Sequence, residues 1–239
     1  MSNRLNDTNS LITSTLRGGR GLFVWPKNRA NPPRPELPLE LYEFESCPYC
    51  RKVREVLSEC DLEFVSRTSA KGSDSKREFV KSQSGRSQYP FLVDPNRGVR
   101  MLESEAIIDY VLEHYGPGRF KVERALSTWN TITSAVASAA RLRSASVLTG
   151  FGRRDQPEQM LVLYQFEASP YCRKVRETMN MLNLDYLVRN VAKGSARRAE
   201  LRAEGGRVMV PFLIDPNTST RMYESDDICA YLIREYGDI

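Results

Sequence analysis

Long apolar runs, histidine and tryptophan are scarce in this sequence. No stretch of roughly 18 apolar residues occurs in its 239 positions, which excludes a spanning helix. His114 is the sole histidine and Cys47-Pro48-Tyr49-Cys50 the sole Cys-x-x-Cys, so a four-ligand zinc site lacks partners. No metal is therefore expected. A single-strand binder would interleave aromatics with basic residues along one groove, and only Trp25 and Trp129, the two tryptophans, are candidates for that. Residues 1–21 lack the apolar core of a secretory signal, and five cysteines without one fit a reducing, cytoplasmic setting.

What is present begins with charge. The net +5 is uneven: residues 1–38 carry +4 and 117–157 carry +5, whereas 39–116 carry −3 and 158–239 carry −1. The sequence thus divides into a basic N-terminal arm (1–38), a mildly acidic block (39–116), a basic connector (117–157) and a second acidic block (158–239). Proline and glycine collect in the basic segments, as in Asn31-Pro32-Pro33-Arg34-Pro35 and Gly116-Pro117-Gly118. Solvated, semi-extended linkers are expected there, rather than a nucleic-acid face. Within the connector, Val122, Leu126, Trp129, Ile132 and Val136 make an apolar stripe at helical spacing, ended by Arg141 and Arg143. Packing across the two blocks is the expected role of this helix; a membrane surface is the alternative.

The two blocks are copies. Pro48 to Glu55 returns letter for letter as Pro170 to Glu177, an offset of 122, and Ala70-Lys71-Gly72-Ser73 returns as Ala192 to Ser195 at the same offset. Pro90 to Asn96 matches Pro211 to Asn217 at 121, and Glu103-Ser104 matches Glu224-Ser225. Ile12-Thr13-Ser14 also resembles Ile132-Thr133-Ser134, which extends the repeat weakly into the connectors.

Each copy reads as βαβ–α–ββ–α. Leu39 to Glu45 alternates as a strand does, and Pro48 suits a first helical turn followed by Val53, Val56, Leu57 and Cys60 at helical spacing. Leu62 to Arg67 reads as a second strand and Ser73 to Ser82 as a polar helix. Phe91-Leu92-Val93, the Asp94-Pro95-Asn96 turn and Val99 to Leu102 form a hairpin, and Ser104 caps a final helix. The second copy spans Met160 to Tyr236. Strand–helix–strand implies a parallel pair and the hairpin an antiparallel one, hence a four-stranded mixed sheet in each copy.

With Cys47-Pro48-Tyr49-Cys50 at a strand-to-helix junction, Tyr89-Pro90 behind it and Glu103-Ser104 at a helix start, the unit resembles a glutaredoxin or the thioredoxin-like N-terminal domain of glutathione S-transferases. The expected class is α/β, two tandem thioredoxin-like domains joined by a partly helical basic linker. The resemblance covers the two blocks only, and the all-helical domain of those transferases has no counterpart.

A thiol at a helix start meets free N–H groups and the positive end of the dipole, with Arg51 and Lys52 close in sequence, so Cys47 is expected to ionise below ~8.5. Cys50, one turn on, is placed to resolve a mixed disulfide. The resemblance makes Cys47 the nucleophile, puts a cis bond at Tyr89-Pro90, and implies glutathione contacts at Tyr49, Lys71, Gln88, Tyr89, Pro90, Glu103 and Ser104. In the second copy Ser169-Pro170-Tyr171-Cys172 has lost the first thiol. It resembles the motif of serine-type transferases, in which the hydroxyl stabilises the glutathione thiolate. Tyr171, Lys193, Val210, Pro211, Glu224 and Ser225 are then the matching contacts, although Met209 replaces Gln88. The function expected is glutathione-dependent thiol–disulfide oxidoreduction through Cys47, with glutathione as co-substrate and a disulfide or electrophile as partner. Conjugation using Ser169 and non-enzymatic glutathione binding or scaffolding are the alternatives, the second copy then serving as a degenerate packing unit.

Overall fold

The computed structural model describes residues 20–118, 146–148, 150–151 and 155–237. The connector helix expected over residues 122–143 and the Ile12 and Ile132 segments lie outside them.

After a short helix α1 (Pro26–Ala30), the first unit runs β1 (Leu39–Glu43), α2 (Pro48–Glu59), β2 (Phe64–Thr68), α3 (Asp74–Ser84), β3 (Phe91–Asp94), β4 (Val99–Leu102) and α4 (Ser104–His114). The second repeats it as β5 (Leu161–Gln165), α5 (Pro170–Met181), β6 (Tyr186–Asn190), α6 (Arg197–Gly205), β7 (Phe212–Asp215), β8 (Thr220–Tyr223) and α7 (Ser225–Tyr236). The βαβ–α–ββ–α order and the four strands per unit agree with the sequence reading. Ser104 is the first helical residue rather than the cap; Glu103 precedes α4 and makes no side-chain cap bond. Ser73 likewise makes no cap bond to α3; its hydroxyl lies 2.7 Å from Asn183 Oδ1 of the second unit and 3.1 Å from the Thr68 carbonyl oxygen.

The two mixed sheets are not separate. They join into one eight-stranded sheet of order β4-β3-β1-β2-β6-β5-β7-β8. The seam is the antiparallel pair β2–β6, with Phe64 opposite Val188, Val65 opposite Leu187 and Ser66 opposite Tyr186. Val65 and Leu187 are equivalent positions of the repeat, so the register is centred on a local twofold axis. Pairing β2 with β6 covers the edge each unit would expose there, and β4 and β8 remain the outer strands.

One core follows from one sheet. Leu39, Leu41 and Leu92 of the first unit and Leu161, Leu163 and Leu213 of the second point to a common face, where they pack with apolar residues of α2, α4, α5 and α7. The alternate residues Tyr42 and Phe91 face the other way, beneath Val80 of α3, and Tyr164 and Phe212 lie beneath Leu201 of α6. Burying both sheet faces stabilises by about 25 cal/mol per Å² of apolar area removed from water, before entropy is counted.

The N-terminal arm corrects the linker expectation. Between Gly21 and Ala30 it is docked, whereas the proline-rich stretch 31–37 is irregular and half-exposed to exposed, as expected: Val24 is buried, and the Asn28 side-chain amide donates to the carbonyls of Cys60 and Tyr115 at 3.0 and 2.7 Å. The arms also cross. Val24 N–H donates to the Lys193 carbonyl of the second unit at 2.9 Å, and Val147 N–H, ahead of the second unit, donates to the Lys71 carbonyl of the first at 2.9 Å. Trp25 N–H to the Glu59 carbonyl and Leu148 N–H to that of Met181 form a further matching pair. The duplication therefore includes the docking segment of each arm.

Candidate functional site

Cys47 sits at the N-cap of α2 in extended conformation, with Pro48 opening the helix. Its Sγ accepts from the Cys50 backbone N–H at 3.2 Å, taking the place of a capping oxygen. Burial pushes this thiol up, but hydrogen bonds from the Cys50 thiol and N–H, the Arg54 guanidinium and the Tyr49 N–H outweigh it and hold Cys47 below the ordinary thiol range. Cys50 moves the opposite way: burial, its bond to Cys47 and the Glu43 carboxylate raise it well above that range. One sulfur is thus disposed to carry charge and its neighbour to carry the proton.

The source of the cation differs from the expectation. Arg51 is turned to Glu55 at 3.3 Å, and Lys52 pairs with Glu105. Arg54, two turns from Cys47 on the same helix face, is the cation that reaches the thiol.

Around the cysteines the fold gathers Tyr42, Val80, Tyr89 and Phe91 into one apolar cluster, with Phe44 against it. Tyr89 precedes a cis bond to Pro90, and Val210 precedes one to Pro211. The Arg77 guanidinium lies 4.9 Å over the Tyr89 ring and donates to the Ser69 carbonyl at 3.0 Å. Tyr49 stays half-exposed beside a Cys47 that is 3% exposed. At the start of α4, Glu103 has φ +72°, a conformation a glutamate seldom adopts, and its carboxylate accepts from the Gln88 amide at 2.8 Å. Gln88 and Glu103 are therefore joined. Lys71 is exposed, and its carbonyl accepts from the Val147 N–H at 2.9 Å.

The second unit repeats this frame with different chemistry. Ser169 Oγ accepts from the Cys172 N–H at 3.3 Å, so the hydroxyl occupies the position of the Cys47 sulfur. Cys172 is fully buried and its thiol raised, chiefly by burial. Cys60 is equally buried, whereas Cys229 keeps partial exposure. Tyr171 is half-exposed, as Tyr49 is. Glu224 repeats the positive φ of Glu103, at +69°, but in place of the Gln88 contact Arg207 stands 3.8 Å from its carboxylate. The Lys193 ammonium lies 5.3 Å over the Phe23 ring, and its backbone holds the N-terminal arm.

Between the two helix starts lies a buried ionic cluster that the motifs did not reveal. Arg54 of α2 reaches across to Glu167, Nε–Oε2 3.1 Å and Nη2–Oε1 3.3 Å. Arg176 of α5 reaches back to Glu45, Nε–Oε2 2.9 Å and Nη2–Oε1 3.2 Å. Glu45 and Glu167 each stand two residues before Cys47 and Ser169. Glu43 also binds Arg54, and at the equivalent place Gln165 accepts from Arg176. The signal was present, since Phe44-Glu45 and Arg54 recur as Phe166-Glu167 and Arg176 at the offset of 122.

Among the described residues no group of three or more His, Cys, Asp and Glu is arranged to hold a metal, and no helix is long and apolar enough to cross a membrane. No curated protein matches the sequence. A solved glutathione transferase of Leishmania, TDR1, described as trimeric, aligns at 15% identity and TM-score 0.32, covering 84% of this chain and 67% of its own. The family model for the glutathione S-transferase N-terminal domain matches residues 41–119 and again 163–238, together more than half the chain. With its doubled thioredoxin-like frame and helix-capping Cys47 and Ser169, the chain belongs to the glutathione S-transferase N-terminal domain family.

Proposed function

We propose that the protein is a glutathione-dependent thiol–disulfide oxidoreductase with Cys47 as nucleophile. The observation that carries the reading is geometric: Cys47 Sγ caps the start of α2, accepting the Cys50 N–H at 3.2 Å, with the Cys50 thiol in the same turn; the Cys47 thiol held low and that of Cys50 raised agree with it. The Cys47 thiolate attacks the glutathionyl sulfur of a mixed disulfide. A bond forms between Cys47 and that sulfur, the old S–S bond breaks, and the substrate leaves as thiolate to take a proton from water. A second glutathione thiolate then attacks the adduct, releasing oxidised glutathione and restoring Cys47. Alternatively Cys50, once deprotonated, displaces glutathione and closes a Cys47–Cys50 disulfide.

On this reading, Tyr89 ahead of the cis Pro90 presents its backbone to the cysteinyl part of glutathione. Glu103 and Ser104 at the start of α4 take the γ-glutamyl end, where helix N–H groups suit a carboxylate. Gln88 is poised beside them, while Lys71 takes part by its charge alone. Reduction of a glutathionylated peptide tests the assignment: Cys47→Ser abolishes turnover, and Cys50→Ser retains the monothiol route. Full activity in Cys47→Ser overturns it.

A second reading rests on Ser169 Oγ standing where the sulfur stands in the first unit. There the hydroxyl donates to a bound glutathione thiolate and supports conjugation, with Val210, Pro211, Glu224 and Ser225 framing the ligand. Conjugation of a model electrophile that is lost in Ser169→Ala favours it. Glutathione binding in calorimetry without either turnover points to a scaffold.

A further inference from the structure

The cluster between the helix starts gives the second unit a task in the chemistry of the first. We infer that Arg176, on α5, is a positioning residue for Cys47: by gripping Glu45 it fixes the loop that delivers the thiol and neutralises the nearest anion in that loop. The inference rests on the reading of Cys47 as the reactive thiol.

Glu45 is buried and separated from Cys47 by one residue. Its two oxygens are held by Arg176 through a two-point fork at 2.9 and 3.2 Å, with Arg54 Nη2 at 3.1 Å and Arg173 Nε at 3.5 Å beyond. Two of these three arginines belong to the second unit. A forked guanidinium fixes direction as well as distance, which an ammonium does not. Arg54, the cation felt by Cys47, is itself held by Glu167 of the second unit. Arg54 and the Glu45 carboxylate two residues before the thiol are thus each gripped from across the seam.

The other groups packed about Cys47 are of the first unit. Glu43 on β1 binds Arg54; Cys50 shares its helix; Tyr89, with Arg77 over it, closes the apolar side. The repeat offers an internal comparison. Where the thiol is replaced by Ser169, the carboxylate equivalent to Glu43 is replaced by Gln165, yet Glu167, Arg173 and Arg176 are all kept. Retention of these three fits a second unit that serves the thiol of the first, whether or not Ser169 has chemistry of its own.

The test follows the ultraviolet absorbance of the Cys47 thiolate against pH, as the difference between each variant and the same variant carrying Cys47→Ser. Arg176→Gln leaves the Glu45 charge less compensated, and the midpoint is expected to rise by roughly one pH unit. Glu45→Gln removes the anion and keeps an acceptor, as Gln165 does for Arg176, and the midpoint is expected to fall by roughly half a unit. A merely structural role moves both in one direction. Arg176→Lys, which keeps the charge but loses the fork, restores the midpoint incompletely. Circular dichroism checks each fold, and Glu45→Gln/Arg176→Gln, which leaves neither charge alone, returns the midpoint towards wild type. Equal midpoints in wild type and Arg176→Gln, or same-sign shifts in both single variants, overturn the inference. No glutathione or disulfide enters this measurement, so such a result leaves the assignment of Cys47 to be judged by its own turnover test.

Discussion

The Arg54 guanidinium lies on one copy of a duplicated unit and the Glu167 carboxylate on the other, yet they meet at 3.1 Å with both side chains out of water. Removing such charges from water costs several kcal/mol per ion, and only their mutual geometry offsets it. Glu167→Ala should therefore destabilise the protein by roughly 3–5 kcal/mol, because Arg54 loses its forked partner. Pairing Glu167→Ala with Arg54→Met should cost less than the two single changes added together. Urea unfolding of the four species measures both, and strict additivity counts against a coupled pair.

The pH dependence of reduction follows from the two sulfurs. Cys47 lies below and Cys50 well above the ordinary thiol range. The rate of the first step should rise with pH while Cys47 ionises and level off before an ordinary thiol, near 8.5, would do so. Cys50→Ala removes the side-chain donor that stabilises the Cys47 thiolate, so its profile should shift to higher pH. Rapid-mixing kinetics with a glutathionylated peptide follow both curves.

Ser169 occupies a helix start built as that of Cys47 is built. Ser169→Cys should therefore create a second thiol that ionises below about 8.5, helped by the Cys172 N–H and the neighbouring Arg176. Below about pH 8.5, two thiolate transitions are expected in the variant and one in wild type. An ordinary titration of the new thiol would show that the helix start alone does not activate sulfur here.

Asp94 closes the β3–β4 turn of the first unit through the Tyr110 and Tyr115 hydroxyls at 2.6 and 2.5 Å, and Asp215 does the same with Tyr231 and Tyr236. Burial pushes both carboxyls up, but these phenols and the asparagine two residues on outweigh it, so both lie low. A carboxyl lower in the folded than in the unfolded chain, near 3.9, adds stability above that pH and loses it as pH falls through the folded value. Asp94→Asn and Asp215→Asn should each flatten the acid limb of stability against pH while lowering its neutral plateau. Thermal melts from pH 2 upward give the comparison.

Much of the frame is legible in the residues. Pro48 and Pro170 mark helix starts, Asp94-Pro95-Asn96 marks a hairpin, and identical octapeptides declare the repeat, because each is a local signal. The seam is not local. Val65 and Leu187 are 122 positions apart, and nothing in either strand names its partner. Arg54, Glu45 and Glu167 were likewise opaque, since charged residues on a helix or in a loop ordinarily face water; only their recurrence at one offset hinted otherwise. Arg51 and Lys52 misled for the opposite reason. They are nearest Cys47 in sequence, but helical geometry turns them to Glu55 and Glu105. The arm read as linker because its prolines and charges are those of a loop, whereas Asn28 and Val24 tie it down through contacts made with distant carbonyls.

The most direct test is chemical capture at the first sulfur. The Cys50→Ser protein, exposed to a glutathionylated peptide and quenched with acid, is digested and its peptides weighed. One glutathione on the peptide bearing Cys47, with Cys60, Cys172 and Cys229 unmodified, is the predicted result. Turnover without an adduct at Cys47, or glutathione found on another cysteine, would contradict the account.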